Sequence, residues 1–259
     1  MPRFAANLTL LFTELPFLDR FAAAAEAGFR AVEMLFPYDH PPEAVARALE
    51  RAGLDLALFN APPGDFAAGD RGLAALPGRR EEAERSIETA LAYALATGAR
   101  RIHVMAGIAD GADAKAAYRA FLRHACPRLA EHGIALMIEP INRRSMPGYV
   151  LNDGDAAADL VAELRGEGFS NLALQFDIFH MQILHGDVTV RLRRMLPLVG
   201  HVQVAAVPDR GEPGSGELDE AHLFRTLDAL GYGGFVGCEY IPKAGTREGL
   251  GWFAPYRAA

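Results

Sequence analysis

The chain has 259 residues, 51% of them hydrophobic and 23% charged, a composition that excludes a disordered or membrane-embedded protein and fits a soluble globular one. Its formal net charge of -7 argues against a phosphate backbone as partner, so nucleic acid is not expected. Its 2 cysteines, Cys126 and Cys238, stand far apart and form no C-x-x-C pattern, as reduced thiols of a cytoplasmic protein would.

The amino-terminal MPRFAANLTLLFTELPF interrupts its apolar residues with Asn7, Thr9, Thr13 and Glu14, so it is read as neither a signal peptide nor a membrane span. Arg3 to Asn7 suits a short strand, and Pro16 to Ala27 a helix closed by Gly28. The same alternation then repeats. Phe29 to Leu35 is a strand, Pro41 to Ala52 a helix with prolines at its start and Gly53 past its end, and Leu54 to Phe59 the third strand. A long Gly- and Pro-rich loop, APPGDFAAGDRGLAALPG, follows Asn60, and loops of that length in compact domains are usually functional. Arg79 to Thr97 is a helix, Arg101 to Met105 the fourth strand, Ala112 to His132 a helix, and Ile134 to Ile138 the fifth strand, which ends in Glu139 and Pro140. Helices over Asp153 to Arg165, His185 to Met195, Asp219 to Leu230 and Arg247 to Tyr256 alternate with strands over Leu172 to Phe176, Val199 to Val204 and Phe235 to Glu239. Eight strand and helix pairs without a linker predict one α/β domain over 1–259, a single (β/α)8 TIM barrel.

In such a barrel, residues at the carboxyl ends of the strands converge at the mouth, where ligands bind. Here they are Asn7, Glu33, Asn60, Glu139, Asp177, Gln203 and Glu239. Taken singly, each acid has an ordinary use as a helix cap or a partner for arginine. Glu139, Asp177, Gln203 and Glu239, however, come from four successive strands, and three carboxylates with one amide at a single place repel unless a cation stands among them. An all-oxygen set suits a hard divalent ion, Mg²⁺ or Mn²⁺, better than zinc.

The segments IEPIN (Ile138 to Asn142), QFDIFHMQ (Gln175 to Gln182), GHVQVA (Gly200 to Ala205), DRGEPGSGELD (Asp209 to Asp219) and GCEY (Gly237 to Tyr240) resemble the hydroxypyruvate isomerase family of the xylose isomerase-like barrels. FPYD at Phe36 to Asp39 and the stretch from Pro62 to Arg79 are similar too, so the resemblance runs along essentially the whole chain. It implies that Glu139, Asp177, Gln203 and Glu239 hold a divalent metal and that Glu139 and Glu239 also exchange the proton. The chemistry agrees on the second point. Interconverting a hydroxyketone and a hydroxyaldehyde moves one proton between adjacent carbons through a cis-enediolate, which needs one group to remove the proton and another to return it.

The expected substrate is a small hydroxy-oxo acid, with hydroxypyruvate converted to 2-hydroxy-3-oxopropanoate (tartronate semialdehyde). A 2-dehydrotetronate isomerase, a ketose 3-epimerase and a non-catalytic barrel acting as a binding module are the alternatives; a nuclease would need a His-rich multi-metal cluster and a basic groove. Candidate substrate contacts are His180, three residues after Asp177, with metal ligation as its alternative role; Arg210, whose fork can grip a carboxylate; Glu33 and Asn60 at strand tips; and Arg71 and Lys243 in flanking loops. His103 and His201 are strand residues, and His201 is expected to be a satisfied core histidine one layer below Gln203. Gln203 departs from the related ketose epimerases, which typically use histidine there. No membrane partner is expected, and association of identical copies is compatible with a barrel of this kind.

Overall fold

The computed structural model describes residues 1–257. Eight strands pair in sequence order, all parallel, into a closed barrel. They are β1 (Arg3–Asn7), β2 (Ala31–Met34), β3 (Asp55–Asn60), β4 (Arg101–His103), β5 (Ala135–Ile138), β6 (Leu172–Asp177), β7 (Val199–Val204) and β8 (Phe235–Cys238). Each lies within two residues of the apolar run that predicts it. The runs are nearly continuous because a parallel strand in this architecture is buried on both faces, by the barrel interior and by the surrounding helices.

Outside the barrel lie α1 (Arg20–Glu26), α2 (Pro42–Ala52), α3 (Arg80–Thr97), α4 (Gly111–Ala130) and α5 (Gly154–Gly166), then α6 (Ile178–Leu184), α7 (Val188–Met195) and α8 (Glu220–Ala229). Between β6 and β7 the sequence predicts one helix, His185 to Met195, and the chain forms two. Gly186 (φ 66°) and Asp187 (φ 50°) separate them in left-handed conformation. The overlooked start signal was Asp177 itself: its Oδ1 accepts the Phe179 N–H at 2.8 Å and so caps α6. The carboxyl-terminal Glu248–Tyr256 is a 3-10 helix rather than an α-helix, and it contains Pro255, which has no N–H to donate. Its Trp252, Phe253 and Tyr256 gather around Phe4 of β1, with ring centroids 5.2–5.8 Å away, and Phe29 stacks on Phe253 at 4.3 Å. No helix among the described residues is long and apolar enough to cross a membrane.

The barrel interior is layered. Ala5, Ala31, Ala57 and Phe235 form one small apolar cluster, and Leu58, Met137 and Ala173 another. Nearer the carboxyl ends the interior turns polar, with Asn7 and Glu33 side by side in register on β1 and β2, and Asp177 beside Gln203 on β6 and β7. Gly237 on β8 makes this possible, since a Cβ there would run into the Glu33 carboxylate.

Candidate active site

Glu139 and Glu239 follow β5 and β8 directly, and Asp177 closes β6, so the strand ends carry three carboxylates toward the barrel mouth. All three are buried, at 4%, 7% and 1% exposure. Burial raises each of their pKa values and the proximity of the acids raises them further. Glu139 stands well above the usual carboxylate range, Glu239 is pushed up to about 8, and Asp177 to about 6, where Arg210 and the Phe179 and His180 amides limit the rise. Arg210 stands among them. Its Nη2 is 3.0 Å from Glu239 Oε1 and 4.0 Å from Asp177 Oδ2. It adopts a left-handed conformation (φ 56°) unusual for a non-glycine residue, and the Ile241 N–H donates to its carbonyl at 2.8 Å.

The donor set fits a divalent cation. Glu139 Oε1 and Asp177 Oδ2 are buried with no hydrogen-bond partner among the described residues, and they lie with His180 in a group whose candidate ligand atoms are all within 4.8 Å of one another. Unpartnered buried carboxylate oxygens that converge are costly unless something positive completes them. His180 belongs to that group by distance, but its hydrogen bonds place it differently. Asn142 Oδ1 accepts from the Ser145 N–H at 2.8 Å, which turns the Asn142 amide nitrogen to His180 Nδ1 at 2.6 Å. Nδ1 is therefore the acceptor, and in the neutral ring the proton sits on Nε2. That N–H faces the space shared by Asp177 Oδ2 (3.6 Å) and Glu139 Oε1 (3.9 Å) as a donor, so the carboxylates are the groups there that would face a cation.

Below the mouth lies a network that engages both oxygens of Glu33. Glu33 accepts from Gln203 Nε2 (2.8 Å) and Asn7 Nδ2 (3.0 Å) through Oε1, and its Oε2 lies 2.6 Å from His201 Nε2. Gln203 is held at both ends, because its Oε1 accepts from Gln175 Nε2 at 2.6 Å. The orientation leaves one lone pair of that oxygen as the only way Gln203 can reach a cation.

Of the substrate contacts expected from sequence, Asn60, His180 and Arg210 line the cavity at the mouth, together with Glu139 and Glu239. Three others are corrected. Glu33 does not line it, because its carboxylate is used up by Asn7, His201 and Gln203. Arg71 instead supports the loop after β3: its Nη1 donates to the Phe66 and Asp70 carbonyls, and its guanidinium lies 3.8 Å from the Phe66 ring centroid, which places Phe66 over the cavity. Lys243 is exposed, and its backbone N–H donates to Glu212 Oε1 at 2.9 Å. His201 is the satisfied core histidine expected. His103, a strand residue by sequence, also lines the cavity, as do Gln175 and Ser145, which the sequence reading does not single out; Gln175 lies two residues before Asp177 on the same strand face, a period-two signal. Leu35, Phe36, Met105, Ile141 and Met146 make the rest of the wall apolar.

The chain is a parallel eight-stranded barrel whose mouth gathers three buried carboxylates, and residues 21–256 match the family described as xylose isomerase-like TIM barrel. The chain belongs to that family and, within it, to the hydroxypyruvate isomerase group. It is 52% identical over 260 residues to a 2-oxo-tetronate isomerase of Cupriavidus necator, covering 99% of both chains. It is 41% identical over 261 residues to the hydroxypyruvate isomerase of Escherichia coli, covering 99% of this chain and 100% of that one. Among solved structures, a Brucella melitensis protein described as an AP endonuclease, family 2, superposes with a TM-score of 0.96 at 48% identity over the whole of both chains. An L-ribulose 3-epimerase, at 24% identity and a TM-score of 0.75 over 98% of this chain and 86% of that one, shares the fold.

Proposed function

We propose that the protein is an isomerase of small hydroxy-oxo acids that moves one proton between adjacent carbons, acting on hydroxypyruvate or its four-carbon homologue 2-oxo-tetronate (2-dehydrotetronate). The observation that carries this is the pair of buried glutamates, Glu139 and Glu239, which reach one cavity from different strands and whose basicity burial has raised. A carbon acid needs a strong base, and a carboxylate whose pKa is lifted toward neutrality is one. One glutamate removes the proton from carbon and the other returns one to the neighbouring carbon, a division of work that typically contributes about 10²–10⁴-fold.

Around the pair, each side chain has a task. The His180 Nε2–H donates to a substrate oxygen as charge grows on it, and its tautomer is held for that by Asn142. Arg210 steadies the Glu239 carboxylate and offers its remaining N–H groups to the substrate carboxylate. Phe66, Phe36 and Met146 keep water from the enediolate. Glu139, Asp177, Gln203 and Glu239 are the residues that would hold Mg²⁺ or Mn²⁺; when bound, such an ion supplies Lewis-acid polarisation of the carbonyl and neutralises developing negative charge. Cys126 and Cys238 are buried and unpaired, in keeping with a cytoplasmic enzyme.

The endonuclease description of the Brucella relative is not favoured for this chain. The net charge is -7, and the cavity is lined by two glutamates against one arginine, a surface that repels a phosphate backbone. The test is turnover of hydroxypyruvate and 2-oxo-tetronate by the purified protein with Mg²⁺ or Mn²⁺, run also in deuterium oxide to detect label at the carbon that gains the proton. Glu239→Gln is expected to lose about 10²–10⁴-fold in kcat with its melting temperature preserved. Near wild-type turnover in that variant would sink the proton-transfer assignment.

A further inference from the structure

Resting on that function, one residue remains unexplained. His103 ends β4 at 1% exposure and lines the cavity, and neither of its ring nitrogens has a hydrogen-bond partner among the described residues. Its backbone is ordinary, in register with Asn60 and accepting the Ala61 N–H at 2.8 Å, so no local strain forces the ring into place. A buried imidazole with both nitrogens idle is destabilising, and such a group calls for a partner from the cavity side. Its Nε2 lies 3.8 Å from Glu139 Oε2. That is too long for a hydrogen bond and wide enough for one oxygen to bond to both.

The chemistry of the gap selects that oxygen. A neutral imidazole offers one donor and one acceptor, and Glu139 offers an acceptor. A hydroxyl satisfies both sides, accepting from His103 and donating to Glu139, whereas a carboxylate has no proton to give and would face Glu139 charge to charge. The position in the barrel agrees. β3 and β4, which carry Asn60 and His103, stand across the barrel from β7 and β8, where Arg210 and Glu239 lie. A substrate whose carboxylate points to Arg210 extends its far end toward Asn60 and His103. In a three-carbon hydroxy-oxo acid the two carbons beyond the carboxylate both take part in the proton shift, and nothing is left over. A four-carbon acid adds a hydroxymethyl group.

We propose that His103, with Asn60 beside it, forms a hydroxyl-binding subsite that recognises the fourth carbon and makes this chain selective for a four-carbon hydroxy-oxo acid over its three-carbon homologue. His103 is here a specificity residue, distinct from the proton-transfer pair.

The experiment compares kcat/KM for 2-oxo-tetronate and hydroxypyruvate in wild type, His103→Phe and His103→Asn, with calorimetric binding of erythronate and glycerate, reduced acids that cannot isomerise. Wild type is expected to prefer the four-carbon member of each pair. His103→Phe lowers the four-carbon to three-carbon ratio by about 10–100-fold, as loss of a hydrogen-bonded hydroxyl site does, and His103→Asn recovers part of it. Because Phe also removes an unpaired buried imidazole, the ligand-free variant melts no lower than wild type. A ratio unchanged by His103→Phe, an equal loss with both acids, or a wild-type preference for the three-carbon acid overturns the subsite. Failure of the functional assignment looks different: wild type then turns over neither acid and binds neither reduced one.

Discussion

Two glutamates one layer apart in the same barrel show what separates a structural buried acid from a reactive one. Glu33 and Glu139 come from β2 and β5 tips, are about equally hidden from solvent, and each neighbours other polar groups. Glu33 receives contacts from Asn7, Gln203 and His201, and Gly237 leaves room for its carboxylate. Glu139 keeps Oε1 bare, shares its surroundings with Asp177 and Glu239, and faces a cavity. The polar floor is finished by the protein, while the mouth waits for a ligand to finish it. Burial does not tell them apart; the source of the hydrogen-bond partners does.

The largest effect should come from one substitution made in both places. Glu33→Gln keeps an oxygen for Asn7 and Gln203 but sets an amide NH2 where Oε2 meets His201 Nε2, so that buried contact survives only if the imidazole changes tautomer to accept there. A loss of roughly 1–3 kcal/mol in unfolding free energy, read from urea denaturation, is expected. Glu139→Gln removes a charge that burial and two neighbouring acids disfavour, so the metal-free protein should gain stability at pH 8 while turnover collapses. Equal destabilisation at the two sites would erase the distinction between floor and mouth.

A smaller effect follows from pH. A carboxyl group whose folded pKa lies above its unfolded value binds its proton more tightly when folded, so its contribution is full below the unfolded value and disappears as pH rises through the folded one. For Glu239 that window runs from 4.5 up to about 8, and for Asp177 from 3.8 up to about 6. Chelator-treated protein should therefore melt at progressively lower temperature from pH 5 to pH 8, and Mg²⁺ or Mn²⁺ should restore most of the loss at pH 8 by binding the deprotonated acids. A flat melting profile in the metal-free protein would mean that the mouth is as well compensated as the floor.

Much of this was legible in the sequence because this parallel barrel writes itself in apolar runs and places an acid or amide near the end of every strand but β4. Glu139, Asp177 and Glu239 were visible that way, and so was the convergence of their strands. Pairing was not visible. The period of two puts Glu33 and Glu139 on the inner surface alike, but only the register of β1 against β2 and the absence of a side chain at Gly237 show that Glu33 is consumed below the mouth. His103 and His201 likewise read as two strand histidines; 201 meets a carboxylate and 103 meets a cavity. The split of α6 from α7 was hidden because Asp177 has two uses at once, one oxygen as a helix cap and the other toward the site.

The smallest effect is expected on the outer surface, where charge is plentiful and inexpensive. Arg123 of α4 makes two hydrogen bonds of 2.7 Å to the Glu167 carboxylate just beyond α5, better geometry than most contacts at the mouth. Both side chains stay in contact with solvent, so water and salt screen the pair and its loss returns both groups to full hydration. Arg123→Ala, alone or with Glu167→Ala, should leave the melting temperature unresolved from wild type at physiological salt, although each removes an ion pair that is geometrically sound. A drop comparable to that of Glu33→Gln would show that contact geometry, and not the withdrawal of water, sets the worth of a charge in this protein, and the ranking of floor, mouth and surface would have to be rebuilt from distances alone.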